Sequence, residues 1–268
     1  MIARFIEDHN FHVEILAKTQ RPNLLCYLAM HQDYSEGAVV DEFSKLSELT
    51  EEVLGERIVR RCIKYRHWGI LEHPSITLNV IGFPHSVMVQ ARTHRVGVSF
   101  DCQSQRYTGE RVLKLAKLFN TNNHALEPTI TLDNIERCQT EVEKVFYFRP
   151  VGKYRDREGN QYEYSEEQRR NDMVTTAAIA LDFNNRIIKS GFAPEHARDL
   201  LSQNIRQNFV VTFNARSLLH FCDLRYPADA QLEIRTLADK LFTQFQTWMP
   251  EVAQWYSKNR LGKNKLAP

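Results

Sequence analysis

The sequence predicts an α+β fold: a single mixed domain, residues 1–268, with an inserted β-hairpin region. Three observations predict it. Residues 75–83 (SITLNVIGF) alternate and are β-branched, the pattern of a half-buried strand. Residues 165–190 form a long helical pattern that opens with Ser165 and Gln168 at capping-box spacing and closes at Gly191. Residues 146–154 and 161–164 are aromatic and alternating, and flank Asp156-Arg157-Glu158-Gly159-Asn160, which reads as a hairpin with a five-residue turn.

The remaining elements follow in order. Residues 11–17 read as an opening strand. Residues 41–64 carry Phe43, Leu46, Leu49, Val53, Leu54, Ile58, Val59 and Cys62 at helical spacing, and residues 65–69 break the pattern. Pro84 suits a first helical position, and Val87, Met88 and Ala91 continue a short helix into an arginine-rich loop. Residues 132–145 read as a helix, and Pro194 starts another that carries Arg198. Residues 205–213 read as a strand. Asn214 then caps a helix patterned by Leu218, Leu219, Phe221 and Leu224 and stopped by Pro227. Residues 228–248 are amphipathic, and the tail LGKNKLAP reads as frayed.

Composition narrows the function classes. The chain has 268 residues with 43% hydrophobic content, enough for one substantial core. A net charge of +2 demands neither nucleic acid nor an anionic membrane, and no apolar run approaches a membrane span. The N-terminus, with acids among its apolar residues, does not read as a signal peptide. Cys26, Cys62, Cys102, Cys138 and Cys222 are scattered and form no C-x-x-C pair. That usage points to a reducing cytoplasm and away from a disulfide framework or a structural metal site.

Two segments carry the chemistry. Residues 90–110 (QARTHRVGVSFDCQSQRYTGE) set Arg92, His94, Arg95 and Arg106 among Gln90, Ser99, Gln103, Ser104 and Gln105. Guanidinium forks suit phosphates and carboxylates, while amides and hydroxyls read the edge of a heterocyclic base. The segment therefore describes a site for a small anionic ligand bearing a base; its bland reading is a solvated loop laced with surface ion pairs. Residues 213–235 (FNARSLLHFCDLRYPADAQLEIR) place Arg216 and His220 on one helical face and Arg225 just before the break.

Together these segments resemble the flavin-dependent thymidylate synthases. The family signature is Arg-His-Arg, seven residues, Ser, then closely Arg-Tyr; here Thr93-His94-Arg95 is followed by eight residues and Ser104-Gln105-Arg106-Tyr107. The second family block appears as Asn214 to Leu218, Leu224-Arg225 and Ala230 to Ile234, and His67 with Glu72-His73 resembles the segment ahead of the signature. The chain departs from the pattern in three ways. Thr93 stands where the family has arginine, with Arg92 one residue earlier. One extra residue precedes Ser104. Cys102 stands where an acid is usual.

The resemblance implies reductive methylation of dUMP, with methylenetetrahydrofolate as carbon donor and NADPH-reduced FAD as hydride source. It implies dUMP contacts from Gln90, Arg92, Thr93, Cys102, Gln103, Ser104, Gln105, Arg106, Arg198 and Arg225. Arg106 and Arg198 suit the phosphate, and Arg225 matches the arginine that activates the uracil. FAD contacts fall to His67, Glu72, Thr93, His94, Arg95, Asn214, Arg216 and His220. It also implies a homotetramer with shared sites, no metal, and a family-specific insertion over about residues 111–165. Ser104 lacks an obvious base partner, so a binding role is expected rather than a nucleophilic one. Neither G-x-G-x-x-G nor a P-loop occurs. Two other readings use the same residues: an RNA-binding module stacking bases on Phe100, Tyr107 and Tyr154, and a structural oligomer with a decayed site. Near-balanced charge opposes the first, and retention of Arg95, Ser104, Arg106, Arg198, Asn214, Arg216 and Arg225 opposes the second.

Overall fold

The computed structural model describes residues 4–119, 130, 132–156 and 158–263. Its elements run β1 (His12–Lys18), α1 (Pro22–Gln32), α2 (Phe43–Ser47), α3 (Glu51–Arg61), β2 (Ser75–Pro84), α4 (His85–Ala91) and β3 (Val98–Cys102). Then follow α5 (Glu110–Phe119), α6 (Leu132–Val145), β4 (Gly152–Arg155), β5 (Gln161–Tyr164), α7 (Glu166–Ile188) and α8 (Pro194–Ala197). The chain ends with β6 (Arg206–Asn214), α9 (Ala215–Arg225), α10 (Leu232–Trp248) and α11 (Pro250–Asn259). This mixture of helix and sheet is the α+β class expected. A four-stranded sheet has the order β1-β2-β6-β3, and β4-β5 form a separate two-stranded sheet. Among the described residues no helix is long and apolar enough to cross a membrane.

The chain divides into two compact units that interleave along the sequence. One comprises residues 1–11, 81–89 and 102–209; the other comprises residues 12–80, 90–101 and 210–268.

In the first unit, α5, α6 and α7 pack together around Val112, Leu115, Phe119, Ile135, Val142, Met173, Ala177 and Phe183. The small residues Ala177 and Ala180 on α7 are both fully buried in this cluster, which also takes the rings of Phe119 from α5 and Phe183 from α7 itself. α7 begins with the expected capping box. The Ser165 hydroxyl accepts from the Gln168 amide, and the Gln168 side chain accepts from the Ser165 amide. Gly191 takes φ +68° just beyond the helix, which glycine adopts without the penalty a Cβ would bring. The β4-β5 hairpin pairs antiparallel, Arg155 opposite Gln161, and the Asp156 carboxylate accepts from the amides of Glu158 and Asn160 across the turn. Arg157 lies outside the described residues, as do residues 120–129, 131 and 264–268 of the proposed insertion and tail.

In the second unit, α10 packs on α9, α11 and β1, and α3 packs on α1 and α11. Leu54, Ile58, Leu78, Phe213, Leu218, Phe221, Leu237 and Phe245 are buried there. Along β2, Ile76, Leu78 and Val80 are buried, while Thr77 and Asn79 are partly exposed, which is the alternation read from the sequence.

Several expectations need correction. The 41–64 pattern is not one helix. A 3₁₀ turn, α2 and α3 divide it, because Thr50 turns extended and its hydroxyl caps α3 by accepting from Val53. Of the 146–154 segment only residues 152–154 are strand, within β4; Phe146 makes a single bridge to Ile205. α8 stops at Ala197, so Arg198 opens a 3₁₀ turn. The 228–248 helix begins at Leu232, after a turn led by Pro227. Leu224 is 46% exposed and leaves the apolar stripe of α9.

Candidate active site

In the second unit, β6 delivers the chain into α9, and Asn214 ends one and caps the other. Its extended backbone stops the helix from starting earlier, and its side-chain oxygen accepts from the Ser217 amide at 2.8 Å. The same stretch fastens the arginine-rich segment. The Asn214 amide donates to the Gly97 carbonyl at 3.1 Å, and the Ser217 hydroxyl donates to the Val96 carbonyl at 2.7 Å. Gly97 has φ +65°, and a Cβ there would stand 2.3 Å from both Asn214 Nδ2 and Ser217 Oγ. Only glycine allows this approach.

That fastening sets residues 93 and 94 beside the last turn of α9. Arg225 Nε donates to His94 Nε2 at 3.1 Å, and Nη2 donates to Thr93 Oγ1 at 3.1 Å. Thr93 Oγ1 in turn donates to the Gln90 carbonyl at 2.7 Å. An arginine nitrogen can only donate, so His94 Nε2 must present its lone pair and the ring proton must sit on Nδ1. Burial holds the His94 imidazole at a pKa of about 4, with the Arg225 and His220 charges acting in the same direction. The ring, 6% exposed, packs on Phe221 at 4.7 Å and edge-on to His220 at 5.6 Å. His220 is also lowered, first by burial and then by Arg216 and Arg225, against an opposing effect of Asp223. Nε and Nη2 share one edge of the guanidinium, and among the described residues no hydrogen bond engages the edge formed by Nη1 and the second Nη2 proton. Burial lowers the Arg225 pKa, and the position at the carboxyl end of a helix favours its charge.

Near the amino end of α9, Arg216 Nη1 pairs with Glu72, which stands in a 3₁₀ turn before β2. His67, Arg92 and Arg95 are exposed in the same unit. The Gln90 side chain donates to Gln231, and Gln231 donates to the buried Glu233 at 2.8 Å. The sequence reading passes over Gln231 and Glu233, although both stand in the Ala230-to-Ile234 block. It also passes over the support beneath α9. Asp223, with its side chain 1% exposed, accepts from Tyr256 at 2.6 Å and from Arg260 at 3.0 Å.

The other candidates belong to the first unit. Gln103 is tied to β6: its side-chain carbonyl accepts from the Asn208 amide at 3.0 Å, and its backbone carbonyl accepts from Gln207. The Ser104 carbonyl receives the amides of Tyr107 and Thr108, which closes a turn. Among the described residues no hydrogen bond engages the Ser104 hydroxyl. Arg106 lies over Tyr107 and stands 3.9 Å from Glu195, with both side chains about half exposed. Glu195 sits on α8, directly ahead of Arg198. Glu195 is also missing from the sequence reading; a lone acid on a short helix gives no signal in one dimension. Cys102 ends β3, and Gln105 is partly exposed within the Ser104 turn.

The chain is similar to known proteins. A flavin-dependent thymidylate synthase of Haloarcula marismortui is 28% identical over 267 residues, covering 96% of this chain and 99% of its own. Thymidylate synthase X of Helicobacter pylori, solved with FAD and dUMP, superposes with a TM-score of 0.60 at 18% identity, covering 91% of this chain and 98% of its own. The UMP/dUMP methylase PolB of Streptomyces cacaoi, bound with 5-Br dUMP, gives a TM-score of 0.65 at 21% identity, with 97% and 99% covered. The model of the family described as thymidylate synthase complementing protein matches residues 14–251, a span that holds every candidate named above, and the chain belongs to that family.

Proposed function

We infer that the protein is a flavin-dependent thymidylate synthase that methylates dUMP reductively, taking its carbon from methylenetetrahydrofolate and its reducing equivalents from NADPH through FAD. Beyond the family match, one observation carries this reading: Arg225 is a cation held along one edge by two neutral acceptors, with its other edge left for a ligand. A fixed cation of this kind favours an electron-rich pyrimidine, and it is oriented before the ligand arrives.

The donor set fits FAD. Arg216, about one third exposed, is carried rigidly by the first turn of α9, and its exposed partner Glu72 can yield to a phosphate or share a ribose. His67 and Arg95 add exposed donors in the same unit, and Asn214 fixes the helix start. Hydride delivery is the chemistry the flavin supplies when bound. The chain's own residues bind and orient. Arg225 holds the pyrimidine, and Gln90 and Arg92 stand on the segment that carries Thr93 and His94. Arg106 and Arg198 take the phosphate, since the half-exposed Arg106–Glu195 pair is weak and exchanges readily for a dianion. Ser104, Gln105, Gln103 and Cys102 line the turn beside Arg106. Ser104 binds rather than attacks, because among the described residues no base reaches its hydroxyl.

The family match over most of the chain supports treating residues 1–268 as one domain, with residues 111–165 as its own elaboration. Five free cysteines support a cytoplasmic setting. A homotetramer with shared sites is the assembly this reading carries.

The test is the visible spectrum of the purified protein, followed by anaerobic bleaching with NADPH in the presence and absence of dUMP, and by dTMP formation with methylenetetrahydrofolate. UMP is assayed in parallel. A flavin spectrum that bleaches, with dTMP as product, is the expected result. A protein that takes up no added FAD overturns the reading.

A further inference from the structure

We propose that Thr93 is a positioning residue for Arg225: its hydroxyl joins His94 in a neutral clamp that fixes the guanidinium by one edge and so determines which edge meets the pyrimidine. This rests on the reading of Arg225 given above. Thr93 occupies the signature position where the resemblance has arginine. A guanidinium there could only donate, and it would set a second cation against Arg225. The threonine hydroxyl accepts from Arg225 Nη2 at 3.1 Å while donating to the Gln90 carbonyl at 2.7 Å, so its proton and its lone pair are both directed. His94 Nε2 accepts from the adjacent Nε–H at 3.1 Å. The departure from the signature is therefore coherent: a cation has been exchanged for an acceptor at the one place where Arg225 needs one.

The groups around the clamp agree. Arg225 and His220 from α9 are the charged and titratable neighbours of His94, Phe221 closes its face, and no carboxylate is recorded against the Arg225 guanidinium among the described residues. The cation therefore keeps its charge for the ligand instead of spending it on an internal ion pair.

The experiment compares the flavin-loaded enzyme with its Thr93→Val, Thr93→Ser and Arg225→Ala variants and the Thr93→Val/Arg225→Ala double variant. The readouts are kcat, KM for dUMP, and dUMP affinity by calorimetry. Hydrogen bonds to charged groups imply that Thr93→Val weakens dUMP affinity and kcat/KM by about tenfold or more. Thr93→Ser, which keeps the hydroxyl, returns both to within about threefold of the parent. In the Arg225→Ala background Thr93→Val adds nothing further, since the pair acts as one unit. Equal loss in Val and Ser variants, or a full additional loss in the double variant, overturns the positioning role. So does an unaffected Thr93→Val when Arg225→Ala is impaired, which leaves the functional reading intact. An Arg225→Ala variant with normal affinity and turnover instead removes the reading on which the clamp depends.

Discussion

The Arg225 region and the Arg106 region both present an arginine from a family motif, and they hold it in opposite ways. Arg225 is half-buried and meets neutral acceptors at hydrogen-bond distance on a helix supported from below. Arg106 is half-exposed, and its carboxylate partner stands 3.9 Å away. Orientation matters where a group must address a particular edge of a base, and neutral acceptors supply it without cancelling charge. Loose pairing matters where a group must close on a phosphate, which tolerates many approach directions. The contrast sets a preorganised part of the molecule against an adjustable part.

The largest effect should come from the support of the preorganised part. Asp223→Ala removes a buried acceptor from both Tyr256 and Arg260 and takes the carboxylate from a guanidinium that is only 14% exposed. Stability should fall by about 3–5 kcal/mol, measured by denaturant unfolding. A loss below about 1 kcal/mol, the value of an ordinary hydrogen bond, would mean that α9 does not depend on this network.

Acid should act next on the same region. His94 is held near pKa 4 in the folded protein against 6.5 for the free group. Between those values the unfolded chain takes up a proton that the folded chain refuses. Stability from this residue is therefore complete above about pH 6.5 and is lost as pH falls towards 4, by on the order of 3 kcal/mol. Comparing denaturant midpoints at pH 7.5 and 5 in the parent and in His94→Asn checks this. Identical pH slopes would show that His94 is not held neutral.

The smallest effect belongs to the adjustable part. Arg106→Ala should raise the KM for dUMP by about tenfold with little change in melting temperature, because exposed ion pairs add little to stability. Raising salt should weaken dUMP binding in the parent more than in the variant. A melting temperature that falls sharply would place Arg106 in the structural framework and erase the contrast.

Legibility in the sequence followed the same division. β2, α6, α7 with its capping box, the Asp156–Asn160 turn and the Asn214 cap were readable because each is determined by neighbours within a few positions. β3 was not: its residues are at most partly buried, so no apolar face marks it. α5 carries Val112, Leu115, Ala116 and Phe119 at helical spacing, but the motif before it drew the reading away. At the site, residue types and blocks were readable. The burial of His94 and its contact with Arg225 were not, since the partners lie 131 positions apart and the contact depends on how Gly97 seats against Ser217. Glu195 and Asp223 were invisible for the same reason.

The double duty of Asn214 and Ser217 has a kinetic side. One amide of this pair is closed by the helix cap and the other by the Gly97 carbonyl, and the Ser217 hydroxyl binds the carbonyl before it. Unwinding the first turn of α9 therefore releases residues 96 and 97, and pulling those residues away uncaps the helix. The two stretches, far apart in the chain, open as one cooperative unit with a single opening free energy. Their backbone protons then exchange with solvent in step, and whatever ligand quiets one stretch quiets the other.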